Sequence, residues 1–94
     1  MYFAVSCYDK DDSLALRMAT REAHLAFVAK NRSQFILVGP LLSDDEQMIG
    51  SHLIIEANDR TALDNLLASD PYSEAKLFAK TTVKAMKIAF STEL

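Results

Sequence analysis

Arg17, Arg21 and His24 follow one another at intervals of four and three residues. On a helix advancing 100° per residue they fall within an arc of about 60°, so they form one stripe. The two arginines stand at i,i+4 as like charges, which costs about 0.2–0.5 kcal/mol on an isolated helix. Glu22 is the only carboxylate between Ser13 and Ser33, and it lies about 140° away around the helix. The counter-charge must come from elsewhere in the fold or from a ligand. Two readings stay open. One is a solvated basic face with an incidental histidine. The other is a general base, His24, beside two cations that hold an anion or stabilise an oxyanion.

Asp70-Pro71-Tyr72 is a second feature with two readings. Asp is a good N-cap and Pro is favoured at the first helical position, so Asp70 can simply start a short turn. A carboxylate in a tight connection can also orient an imidazole, as the acid of a base–orienter pair does. Gly50-Ser51 opens a strand, where a glycine permits a bulge or a close backbone approach.

Other constellations fall short. Asp9-Lys10-Asp11-Asp12 begins like a calcium loop, but Leu14 and Thr20 stand where its Gly and bidentate Glu belong. It reads as a solvated loop with helix caps whose acids could lie near the arginine stripe, because the loop leads directly into that helix. His24 and His52, without cysteine partners, are too few for a zinc site. Cys7 in an apolar strand reads as core, His52 as structural or exposed, and Lys80, Lys84 and Lys87 as a solvated or edge-protecting set. No haem, flavin or nucleotide signature is present, so no cofactor and no metal are expected.

The elements that must position these groups follow from the pattern. Tyr2 to Tyr8 reads as a strand, and Leu14 to about Arg32, free of Gly and Pro, as a long helix. Gln34 to Leu42 and Met48 to Ala57 are strands joined by the acidic turn Ser43 to Glu46, a hairpin. Asp59 caps a second helix that ends at Pro71, Tyr72 to Leu77 adds a further turn, and Phe78 to Phe90 is a long last strand. The order β-α-β-β-α-β predicts an α+β, ferredoxin-like fold with a four-stranded antiparallel sheet. Phe35 to Val38 and Leu53 to Ile55 are continuous apolar runs, and the first strand is apolar or aromatic at both parities. Both faces of the sheet are therefore expected to be covered, by helices on one side and by a second subunit on the other, a homodimer.

At 94 residues the chain is one domain, 1–94, with 50% apolar residues and only two glycines and two prolines. That composition excludes disordered and collagen-like classes. Ten basic against thirteen acidic residues leave a net charge of −3, which argues against nucleic acid or an anionic membrane as partner. No apolar run is long enough to span a bilayer, no secretory leader is visible, and the lone cysteine suits a reducing compartment. A cytoplasmic location is expected.

Taken together, Arg17-x3-Arg21-x2-His24, Gly39-Pro40, Gly50-Ser51 and Asp70-Pro71-Tyr72-x2-Ala75 resemble the YciI-like (YCII-related) proteins over essentially the whole chain. The resemblance implies a dimeric α+β barrel and a His–Asp pair as active site, which maps onto His24 and Asp70. It also brings a precedent, a dehydrochlorinase acting on a chlorinated, hydroxylated ring. One departure is visible: family members often continue Ala-Gly-Leu where this chain has Ala75-Lys76-Leu77. The expectation is a small enzyme for His/Asp-assisted proton transfer, elimination or isomerisation, on a small polar substrate such as a ring. Arg17, Arg21, Ser51 and Tyr72 would contact that substrate. The alternatives are a non-catalytic dimeric module that binds a small anionic metabolite, or a module that works by association with another protein.

Overall fold

The computed structural model describes residues 1–92. Its elements are β1 (Tyr2–Asp9), α1 (Leu14–Lys30), β2 (Phe35–Leu42), β3 (Met48–Glu56), α2 (Arg60–Ala68), the single turn α3 (Pro71–Glu74) and β4 (Phe78–Met86). The strands form one sheet in the order β2-β3-β1-β4, each neighbouring pair antiparallel. This is the ferredoxin-like βαββαβ arrangement.

Several boundaries differ from expectation by a residue or more, and for α1 and β4 the reason is identifiable. The last strand stops at Met86 rather than Phe90, because Met86 already pairs with Tyr2 and β1 offers no further partner. The long helix stops at Lys30 rather than Arg32. There Asn31 ends it, its backbone N–H donating to the Phe27 and Val28 carbonyls and its side chain to Phe27 again.

Burial on β1 alternates despite its apolar composition. Phe3, Val5 and Cys7 are buried and join Leu53, Ile55 and Leu63 in the core, with Phe27 and Val28 of α1 packed against them. The opposite face carries the row Leu37, Ile54, Ala4, Lys84 across all four strands, and its apolar members stay half-buried or exposed. The edge strands carry protective residues. Pro40, which cannot donate to a ladder, lies on β2, and exposed Lys80 and Lys84 lie on β4.

Gly50 is demanded by the sheet. A side chain there would run into the Cys7 carbonyl oxygen on the neighbouring strand. The β2–β3 register also shifts beside it, between Leu41 and Leu42. The next residue, Ser51, pairs with Cys7, two residues before Asp9 at the end of β1.

Candidate active site

Helix α1 turns its polar stripe inward. Arg17 and His24 are its two buried residues and Arg21 is half-buried, whereas Leu14, Leu16, Met18 and Leu25 remain exposed. A buried guanidinium needs a partner. Asp9, at the end of β1, supplies it: its two carboxylate oxygens accept from Nε at 2.6 Å and from Nη2 at 2.9 Å. Nη2 also donates to Ser51 Oγ at 2.8 Å. Burial opposes the charge on Arg17, but the Asp9 carboxylate more than compensates and raises its pKa above the ordinary value.

Tyr72 fills the space between the two buried side chains of α1. Arg17 and His24 are seven residues apart, roughly 10 Å along a helix. The Arg17 guanidinium carbon lies 4.6 Å from the Tyr72 ring centroid, and the His24 ring stacks on Tyr72 at 4.1 Å and 16°. Phe78 meets the Tyr72 ring edge-on at 6.0 Å. Burial pushes the Tyr72 phenol above its ordinary pKa, partly offset by Arg17 and Arg21.

Asp70 realises both readings of its motif. It is the N-cap of α3, with Pro71 in the first turn, and its Oδ1 accepts from the Tyr72 N–H at 2.9 Å. The same carboxylate meets His24 Nδ1 at 2.9 and 3.1 Å through its two oxygens. An ionised carboxylate only accepts, so Nδ1 carries a proton, and whenever the ring is neutral Nε2 is the acceptor. Among the described residues no buried side-chain nitrogen or oxygen lacks a partner. Nε2, with no protein partner, therefore opens onto the neighbouring cleft.

That cleft, about 90 Å³, lies between α1 and the β2–β3 end of the sheet. Arg21, His24 and Ser51 supply its polar lining, and Leu25, Val38 and Pro40 its apolar wall. Among the described residues Arg21 makes no ion pair, which leaves its charge available to whatever enters. A larger groove, about 420 Å³, runs beside the loop from Asp9 to Leu14, but neither His24 nor Asp70 lines it.

Five of the six residues singled out from the sequence line one cleft, and the sixth, Asp70, stands behind His24. Arg17 is committed to Asp9 and Ser51, Tyr72 is the spacer, and Arg21 is the cation left unpaired. The remaining candidates lie apart. His52 pairs its Nδ1 with Ser6 Oγ at 2.9 Å on the outward face of the sheet. Cys7 is in the core, where burial pushes its thiol up to about 11, which disfavours the nucleophilic thiolate. Asp9, expected only as one of several loop acids near the stripe, is the partner that Arg17 takes. Its only signal was the entry of an acidic loop into the helix that bears the stripe.

A model of the YCII-related domain matches residues 1–87. An uncharacterised protein of Haemophilus influenzae is 32% identical, the alignment covering 96% of this chain and all of the relative. Protein YciI of Escherichia coli is 29% identical with the same coverage. Among solved structures, the 5-chloro-2-hydroxyhydroquinone dehydrochlorinase of Burkholderia phenoliruptrix, in complex with 2,5-dihydroxybenzoquinone, superposes with a TM-score of 0.86. It is 34% identical, over 93% of this chain and 94% of that one. SnoaB, a cofactor-independent oxygenase of Streptomyces nogalater, shares the fold at a TM-score of 0.60, 16% identity and 97% coverage of both chains.

Proposed function

The chain belongs to the YCII-related domain family, and on that premise we propose that it is a small enzyme in which His24 removes a proton from a small polar substrate. The observation that carries this reading is the His24 Nδ1–Asp70 contact at 2.9 Å, with Nε2 facing a cleft that also holds an unpaired arginine. Asp70 keeps the proton on Nδ1 and fixes the ring plane, so Nε2 is the base. As the substrate's C–H or O–H bond breaks, its electron pair moves into the molecule, and Arg21 stabilises the negative oxygen that develops. From there the pair either expels a leaving group from the adjacent carbon, an elimination, or recaptures the proton elsewhere, an isomerisation. The dehydrochlorinase that this chain resembles, with its oxygenated ring ligand, favours elimination on a hydroxylated ring. A homodimer formed through the outward sheet face belongs to the same reading.

The test is turnover of chlorinated, hydroxylated rings, followed as halide release, together with deuterium uptake by enolisable compounds in heavy water. His24→Ala should lower the rate by about 10²–10⁴-fold, the usual contribution of a general base. It should also lower the melting temperature because it strands the buried Asp70, so rates are compared where the variant is folded. Asp70→Asn retains capping ability but loses the carboxylate, and should lose at least about tenfold. A variant series with unchanged rates would overturn the reading. A second reading, an anion-binding module, is favoured by the unpaired Arg21 alone. It predicts that ligand affinity survives His24→Ala and is lost in Arg21→Met, with no compound converted.

A further inference from the structure

Ser51 stands in this cleft with its hydrogen-bonding direction already decided. A guanidinium only donates. The two hydrogens of Arg17 Nη2 are both used, one toward Asp9 Oδ1 at 2.9 Å and one toward Ser51 Oγ at 2.8 Å. Ser51 Oγ therefore accepts from Arg17, and Asp9 prevents that guanidinium from turning away by holding Nε as well. The hydroxyl's single proton is left over. Among the described residues no acceptor takes it, although Ser51 is buried and lines the cleft. A buried O–H with no acceptor is costly, and donation from a charged group polarises it further. Across the same cleft His24, in its neutral form, offers an acceptor at Nε2, and Arg21 offers only donors.

Resting on the proposed role of His24 as base, we infer that Ser51 is an obligate donor to the ligand's oxygen, its direction set by the Asp9–Arg17 pair. The ligand that complements the cleft is a compound with an acidic O–H or C–H conjugated to a carbonyl. Its acidic hydrogen meets His24 Nε2, and its carbonyl oxygen meets the Ser51 hydroxyl and Arg21. When the proton passes to Nε2, the electron pair left behind delocalises onto that oxygen as an enolate. Ser51 keeps its own proton throughout and acts by hydrogen bonding. Asp9 is a positioning residue, acting through Arg17.

The probes are tropolone, whose ring carries an acidic hydroxyl beside a carbonyl, and tropone, which has the carbonyl alone. Both are titrated into the intact protein, with tropolone ionisation followed by absorbance. Tropolone should bind with an absorbance change, and tropone more weakly with none. Ser51→Ala should weaken both by about tenfold, as loss of one hydrogen bond to a charged or polarised oxygen does. Ser51→Cys, close in shape but a weaker donor, should fall between. His24→Ala should abolish the absorbance change and weaken tropolone alone. In an Asp9→Asn/Arg17→Met background the hydroxyl is free to turn, so a further Ser51→Ala change should matter less than in the wild type. Wild-type affinity in Ser51→Ala, with tropolone still dependent on His24, overturns the assignment of Ser51 and leaves the base in place. Independence from both residues overturns the base as well. Failure of tropolone and tropone to saturate the protein at millimolar concentration overturns the ligand class.

Discussion

Arg17 and Asp9 illustrate what a single buried pair demands. The side chains are 2% and 5% exposed, so neither charge is relieved by water. Removing one partner of such a pair strands the other. Asp9→Asn should therefore destabilise the fold by about 3–5 kcal/mol. Asp9→Asn/Arg17→Met should be less destabilised than Asp9→Asn alone, because no uncompensated charge remains. Thermal denaturation of the two variants checks the order, and a double variant worse than the single would contradict it. The pairing was only half legible in the sequence. Helical spacing gave the stripe but not its direction. Leu14, Met18 and Leu25 fall within about 40° of one another and look like a core face, yet they are exposed, while the arginine and the histidine are buried.

Among the elements, the short turn α3 carries more than its length indicates. It ends in a Schellman motif: the Leu77 N–H donates to the Tyr72 carbonyl and the Lys76 N–H to the Ser73 carbonyl. Leu77 is fully buried, which supplies the apolar contact that accompanies this ending. Lys76 is held at a φ of 59°, the left-handed region where a side chain is penalised. This accounts for the glycine that family members often have at the equivalent place. Lys76→Gly should stabilise the protein by about 1 kcal/mol, seen as a rise of about 4–8 °C in melting temperature. A fall in melting temperature would show that the lysine side chain does something the strain conceals. The order and type of the elements were readable from the chain because strand formers, caps and prolines punctuate it locally. The end of β4 was not, because it depends on where β1 begins to offer partners.

At the scale of the whole molecule, the sheet has two unlike faces. One is sealed by the helices around Val5, Ile55 and Leu63. The other presents Tyr2, Ala4, Leu37 and Ile54 with only partial cover. The continuous apolar runs that blurred the strand pattern in the sequence are the residues that supply this second face, which is why alternation was hard to read there. In the proposed homodimer this face is buried against a second copy. Sedimentation should show a dimer for the wild type. Ile54→Lys, in the middle of the face, should shift the equilibrium toward monomer with its fold retained. A wild-type monomer at micromolar concentration would leave the face without that occupant.

Tyr72 is gripped on both sides, by an imidazole and by a guanidinium two turns apart on one helix. A ring clamped in that way cannot let its neighbour swing. In the proposed reaction the imidazole edge would thus meet a substrate at one fixed angle, with the carboxylate behind it. Chemistry performed from such an edge has a handedness: at a prochiral centre, one of the two hydrogens is within reach and its mirror-related twin is not.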